Sequence, residues 1–281
     1  MNQQSSLVKL INARLDTGAV ELPVIDDIAL RIHRGVGADE LDADGIARIL
    51  EEDPVLVTEV LRMANSSFFA GLEEVRSLRD ATVRMGLKQV ASIVMSVSQK
   101  RLYSASRGPF RVRMQELHQH VTACSVAARW IVRRAAQAPL AEEAFVAGML
   151  HDVGKLSLLR IIEDLQRKMT APLSDELIDA TIDELYCEHG AAVLALWNLP
   201  ELYQSVIRSQ ADEQPDETNV VLMAVRLADK ACAVKGLSDR PDATMDLDNC
   251  IEAMALGLDE NDIAELLASL DEMTSGLDAA A

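Results

Sequence analysis

An all-α fold is predicted for this 281-residue chain by three observations. Apolar residues recur at helical rather than strand spacing along almost every periodic segment. The connections between those segments are short and marked by Gly, Pro, Ser or Asp. Apolar side chains make up 49% of the chain but aromatics only 3%, so the core must be filled by Leu, Val, Ile, Ala and the 11 Met, a helical-bundle composition.

Taken in order, the first helices are expected over about 24–34 and 43–52. The clearest start is Asp53-Pro54, where Asp caps free amides and Pro suits the first helical position; Leu56, Val60, Leu61 and Ala64 then share a face that ends near Asn65-Ser66-Ser67. Helices over about 77–86 and 87–104 are divided by Gly86, and one over 112–136 follows the break at Gly108-Pro109. Two more are expected over 140–150 and 153–168. After Ala171-Pro172, Ser174 is a cap followed by Asp175 and Glu176, acids that favour a helix start through the macrodipole, and this run continues towards Trp197. Asn198-Leu199-Pro200 breaks it, and a short helix carries Leu202, Val206 and Ile207. The stretch 210–218 reads as a linker, followed by a helix near 218–235 and two acidic amphipathic helices near 247–256 and 260–274. In the first of these Ile251, Met254, Ala255 and Leu258 form an apolar stripe, for which core packing is preferred over a partner surface, and deletion of 238–281 is expected to leave the core folded. No fixed-period repeat is present.

No apolar run reaches the roughly 20 residues that span a bilayer, and the polar start MNQQSS lacks the order of a signal peptide, so a cytoplasmic protein without membrane association is expected. Cys124, Cys187, Cys232 and Cys250 are far apart in sequence and form no CxxC pair; they are read as reduced and mostly buried. The net charge of −18 argues against nucleic acid as a partner. Residues 211–281 hold 17 acidic and 4 basic side chains, a net of −13 that leaves −5 for the first 210. Between Ala81 and Gln115, by contrast, Arg84, Lys88, Lys100, Arg101, Arg107, Arg111 and Arg113 occur without an acid. This segment is either a solvated helix and loop facing acidic surface or a site for an anion or partner.

The string Ala147-Gly148-Met149-Leu150-His151-Asp152-Val153-Gly154-Lys155-Leu156 places imidazole beside carboxylate at the end of an apolar helix, and both groups bind hard or borderline cations. A buried structural histidine or a helix cap is the alternative for the pair alone. In its apolar frame the string resembles the signature of the HD superfamily. That resemblance implies a metal set of an earlier His, the His-Asp pair and a later Asp. His120 lies 31 residues before His151, with His118 as its rival, and Asp229 is a carboxylate within the apolar stretch Val225–Ala231. A buried charge there needs a partner or a metal. Lys155 is the candidate contact for a phosphate.

Asp53-Pro54-Val55-Leu56, Leu61-Arg62-Met63-Ala64-Asn65-Ser66 and Asp80-Ala81-Thr82-Val83-Arg84-Met85-Gly86-Leu87, with Leu22-Pro23 and Trp197-Asn198-Leu199-Pro200, resemble the HDOD family more closely than other HD branches. The resemblance runs over residues 22–210, leaving 1–21 as an N-terminal extension and 211–281 as an acidic helical extension that packs on or follows the core. It departs from the catalytic HD-GYP relatives. Tyr186 stands where those relatives carry an extra His, Ser209-Gln210 where they carry a His-His pair, and the GYP triplet is absent; His189 is nearby at a spacing that does not fit. A two-metal hydrolase uses both cations to stabilise attacking and leaving oxygens, and losing three nitrogen ligands removes that arrangement. The resemblance therefore implies either one divalent ion (Mn²⁺, Fe²⁺, Zn²⁺ or Mg²⁺) at His120, His151, Asp152 and Asp229, or none. It implies a non-catalytic signalling module that binds a protein partner, with a small anionic ligand as a further option. The alternative is a metal-dependent phosphohydrolase acting on a nucleotide or cyclic dinucleotide, with the basic 84–113 segment steering the anion. Oligomeric state is left open, and the absence of a receiver, GGDEF, EAL or kinase segment implies action through another polypeptide.

Overall fold

A computed structural model of the chain describes residues 3–16, 25–67, 69, 74–103, 108–169 and 171–278. The described residues contain α-helices and a single 3-10 turn at Ala138–Leu140, with no strand among them. The helices are α1 (Gln3–Asp16), α2 (Asp27–Gly37), α3 (Ala43–Leu50), α4 (Pro54–Ala64), α5 (Leu78–Met85), α6 (Leu87–Tyr103), α7 (Pro109–Arg134), α8 (Ala141–Leu150), α9 (Val153–Gln166), α10 (Asp175–Leu196), α11 (Glu201–Arg208), α12 (Val220–Val234), α13 (Ile251–Leu256) and α14 (Glu260–Asp278). They form two compact units, one of residues Val24–Leu102 and one of Met1–Pro23 with Tyr103–Ala281.

In the 24–102 unit, side-chain caps set the helix starts. Asp26, Asp42, Asp53 and Ser77 each accept a hydrogen bond from an amide in the first turn of α2, α3, α4 and α5. These bonds satisfy donors that have no partner within the helix. Arg101, near the end of α6, then ties two of these caps together, with Nη1 2.9 Å from Asp26 Oδ2 and 2.8 Å from Asp53 Oδ2. Asn65 closes the loop after α4, donating to the Val75 carbonyl and accepting from the Val75 amide, both at 2.8 Å. Ile32, Ile46, Leu50, Leu56, Val60 and Val94 form the buried centre.

The larger unit is organised around α7, which packs on α8 and α12, while α9 lies on α10 and α10 on α11. α8 is buried from Ala144 to Leu150, so its apolar residues go all round the helix rather than along one face. Small residues allow this depth. A Cβ on Gly148 would sit 2.9 Å from the Cys124 carbonyl oxygen, and one on Gly154 would sit 2.0 Å from that of Tyr186. The two glycines flank His151-Asp152 and let α8 and α9 cross their neighbours backbone to backbone.

The expected helices are present with ends shifted by a few residues, and several details differ. A helix, α1, occupies Gln3–Asp16 in what the sequence left without an element; it rests on α10, where Gln4 Nε2 donates to the Ala180 carbonyl at 3.2 Å. The predicted 247–256 helix begins only at Ile251, because Asp246 accepts from Asn249 in a turn before it. Of the stripe assigned to the core there, Leu258 is buried but the rest is displaced. Met254 and Ala255 are exposed and Ile251 is half-buried, whereas Glu252 and Ala253 are buried, because the Glu252 carboxylate bridges Arg226 and Lys230 of α12. The basic segment is not one open patch: Arg101 is bound by two carboxylates, and Arg113 is bound by Asp175 and Asp179. Leu22-Pro23 and Arg107 lie outside the described residues. No helix among the described residues is long and apolar enough to cross a membrane.

Candidate metal centre

α8 ends at Leu150 and α9 begins at Val153, so His151 and Asp152 form the corner between two buried helices. His120 reaches this corner from α7 and Asp229 from α12. His120, His151 and Asp152 are each no more than 2% exposed. His120 Nε2 lies 3.2 Å from His151 Nε2, 3.3 Å from Asp229 Oδ1 and 3.4 Å from Asp152 Oδ2; His151 Nε2 lies 3.5 Å from Asp152 Oδ2. The four residues that the resemblance picked out are thus brought together. His118, the rival of His120, instead meets the Tyr103 ring. His189 is hydrogen-bonded to Ser157 Oγ at 2.8 Å.

The hydrogen bonds on the outer side of each imidazole define what the inner side offers. His120 Nδ1 lies 2.8 Å from the Leu237 carbonyl and His151 Nδ1 2.7 Å from that of Gly148. A carbonyl only accepts, so both Nδ1 atoms carry hydrogen and donate, which leaves the two Nε2 atoms facing inward as the positions that can take a proton or a metal. The first carbonyl is delivered by Gly236, whose φ of +73° turns the chain after α12 through a conformation that suits glycine. Two lone pairs and two carboxylates facing one another repel unless a cation lies among them. Asp152 Oδ2 is itself buried and accepts no well-aligned hydrogen bond, although Lys155 Nζ is 3.0 Å away. This donor set fits a divalent metal ion, with the outer carbonyls holding the imidazoles in place as metal-binding histidines require.

Electrostatics point the same way. Burial alone lowers the affinity of His120 for a proton, but the adjacent Asp152 and Asp229 carboxylates and Cys232 outweigh that and hold its pKa well above the usual histidine range. Burial raises that of Asp152, yet the charges of His151, Lys155 and His120 pull it far below the carboxylate range. The pocket thus favours positive charge. Lys155 is drawn into it: despite burial, Asp152 first, then Asp239 and Asp229, keep it protonated. Its Nζ is 3.5 Å from Asp239 Oδ2 and lies over the Tyr186 ring at 5.4 Å, which brings Tyr186 to the edge of the site.

Sequence reading missed Cys124 and Cys232. Their sulfurs are 3.5 Å apart, and Cys124 Sγ is 3.7 Å from His120 Nε2. One donor atom each from His120, Cys124, His151 and Asp229 falls within 4.8 Å of all the others. The Cys232 thiol is brought down to about 6 by its hydrogen bond with Cys124 and by His120, against the effect of burial. A signal was available, since Cys124 lies four residues after His120 and Cys232 three after Asp229, the spacings that share a helix face. Asp239, which reaches Lys155 from an irregular segment, had no such signal.

Beside the centre a cavity of about 240 Å³ is lined by His120, Leu117 and Ile182 and by a ring of charge. Its cations are Arg113, Lys155 and Arg240, and each is already paired: Arg113 with Asp179, Lys155 with Asp152 and Asp239, Arg240 with Asp183.

This helical bundle with a buried His-Asp corner defines a protein of the HD type. The model of the HDOD domain family matches residues 22–213, and the chain belongs to that family. Among solved structures it is similar to an HDOD domain protein of unknown function from Geobacter sulfurreducens, with a TM-score of 0.73 and 24% identity, covering 98% of this chain and 97% of that one. It is also similar to a "Putative metal-dependent phosphohydrolase" from Shewanella amazonensis SB2B, with a TM-score of 0.70 and 19% identity, covering 96% and 100%. These likenesses are of fold. An uncharacterized protein of Treponema pallidum (strain Nichols) is 21% identical over 80% of this chain, which spans 44% of the length of that relative.

Proposed function

We propose that this protein is a non-catalytic regulatory HDOD module of the bacterial cytoplasm that acts through a protein partner and keeps the buried HD corner as a cation-holding element of its fold. The observation that carries this reading is the charge pairing around the cavity. A phosphohydrolase needs unspent cations to receive the anionic substrate and a metal with an open position for water. Here Arg113, Lys155 and Arg240 are each neutralised by a carboxylate of the same wall. Tyr186 stands in place of an imidazole at the site's edge. Ser209 and Gln210, where the HD-GYP relatives carry a His-His pair, use their carbonyls to accept from Arg226 at 3.2 and 2.6 Å. A metal at His120, His151, Asp152 and Asp229 would supply positive charge that binds the bundle together.

The test is turnover. Protein loaded separately with Mn²⁺, Fe²⁺ or Zn²⁺ is offered bis(p-nitrophenyl) phosphate, nucleoside phosphates and cyclic dinucleotides. No hydrolysis above the metal-only blank is expected. Hydrolysis that disappears in His151→Ala would establish the phosphohydrolase reading instead. The positive arm is in-cell cross-linking followed by reconstitution of the captured partner with purified protein, where a stoichiometric complex is expected.

A further inference from the structure

We propose that residues 236–242 form a latch that couples the buried HD corner to the protein surface, closing when a cation occupies the corner and loosening when it leaves. The inference rests on the cation-holding reading above and names how that site is regulated.

The segment is tied down at both ends and held across its middle. It leaves α12 at Gly236, whose φ of +73° turns the chain back. The Leu237 amide then donates to the Cys232 carbonyl at 2.8 Å and the Asp242 amide to the Ala233 carbonyl at 3.0 Å. Both ends are thus pinned to the last turn of α12, the helix that carries Asp229. Between the pins the chain reaches three other helices. The Leu237 carbonyl accepts from His120 Nδ1 of α7 at 2.8 Å, Asp239 Oδ2 lies 3.5 Å from Lys155 Nζ of α9, and Arg240 pairs with Asp183 of α10. The His120 side chain is 3% exposed and that of Arg240 64%, so one short segment runs from a candidate ligand to open surface.

These contacts bear on two of the four candidate ligands. The Leu237 carbonyl sets the tautomer and orientation of His120. Asp239 shares the Lys155 ammonium with Asp152, whose Oδ2 is 3.0 Å from the same Nζ. Lifting the latch removes the outer contact of His120 and leaves Lys155 to Asp152 alone, where the ammonium competes with a metal for the carboxylate. Both changes weaken the hold on a dication. Linkage makes the effect reciprocal, so a cation that binds more tightly to the closed latch favours closure by the same factor. Apart from the carbonyl contact, the latch is held to the neighbouring helices by ion pairs with exposed members, which contribute little and release readily. Asp239 and Arg240 also line the cavity beside the centre, so its wall moves with the latch.

The experiment titrates the full-length protein with Zn²⁺ and with Mn²⁺ against a competing chelator and follows hydrogen exchange at the Leu237 and Asp242 amides. Exchange at both amides should slow by about tenfold or more when one equivalent of metal binds, within the roughly 10–100-fold that an outer contact is worth to metal affinity. Arg240→Glu sets a carboxylate against Asp183 and should bind the metal about tenfold more weakly. The sign is the test, because added negative charge beside the centre would by Coulomb attraction alone tighten a dication. Arg240→Glu combined with Asp183→Arg should restore both affinity and protection. Circular dichroism and urea unfolding of the metal-free proteins check that the variants fold, and the exchange comparison on wild type needs no variant. Arg240→Glu binding as tightly as wild type or tighter, or latch exchange indifferent to bound metal, overturns the coupling while leaving the cation-holding corner standing. No metal bound by wild type overturns both.

Discussion

Asp152 and Lys155 stand one helical turn apart as a buried ion pair, with Nζ 3.0 Å from Oδ2 and the carboxylate side chain 1% exposed. Removing the lysine leaves that carboxylate with the imidazoles as its remaining counter-charge. Lys155→Met is therefore expected to destabilise the fold by about 3–5 kcal/mol, the range for breaking a buried pair from one side. In urea unfolding, Asp152→Asn combined with Lys155→Met should cost less than the two single changes added together. Strict additivity would show that the pair is not coupled.

Gly154 meets α10 so closely that a methyl group has no place to go. Gly154→Ala would set its Cβ 2.0 Å from the Tyr186 carbonyl oxygen, a backbone atom that cannot swing aside. A loss of at least about 1–3 kcal/mol is expected from such overpacking. Gly37→Ala is the control, since nothing lies within 4 Å of its Cβ and it ends a helix; stability there should be unchanged or slightly higher. Thermal melts of both variants decide the matter.

Burial pulls the His189 imidazole down to about 4, where it is held neutral beside Ser157. Its pKa in the unfolded chain is about 6.5, so between these values the unfolded state takes up a proton that the native state refuses. Stability from this residue is full above about pH 6.5 and falls as the pH drops towards 4, by up to roughly 3 kcal/mol. His189→Gln should flatten that part of the stability profile, and a wild-type slope retained in the variant would assign it to other groups.

The Asp53 side chain caps α4 through the amides of Val55 at 2.7 Å and Leu56 at 3.2 Å while also binding Arg101. Asp53→Ala removes both roles and is expected to cost about 1–2 kcal/mol for the cap, with at most about 1 kcal/mol more for the partly exposed pair. Asp53→Asn keeps a capping oxygen and should recover most of the loss in denaturant titrations.

Truncation after Leu237 is now expected to abolish the cooperative melt, the reverse of what the sequence led us to expect. Leu247, Ala253, Leu258, Ile263, Leu266 and Leu270 are buried, and Glu252, with no exposed side-chain surface, neutralises Arg226 and Lys230 of α12. Calorimetry of the 1–237 fragment is the check.

The helices and their starts were legible because they depend on neighbours within a few positions. Apolar residues at a 3.6-residue period mark one face, and Asp53-Pro54 or Ser174 followed by acids supplies caps and charge where the free amides are. The ligand candidates were legible in a different sense: His151-Asp152 in its apolar frame, with His120 and Asp229 before and after it, matched a family pattern, and the structure brings these four together. Helical period also told which residues share a face. It could not tell which faces meet. That Cys124 and Cys232, 108 positions apart, touch beside His120 was decided by the packing of α7 against α12. The same holds for the pairing of Arg113, Lys155 and Arg240 with carboxylates around the cavity, and for the turn at Gly236 that delivers a carbonyl to His120. Local sequence fixes dihedrals and amphipathic faces, whereas a coordination sphere and its counter-charges depend on where separate helices cross, which only the packed tertiary structure specifies.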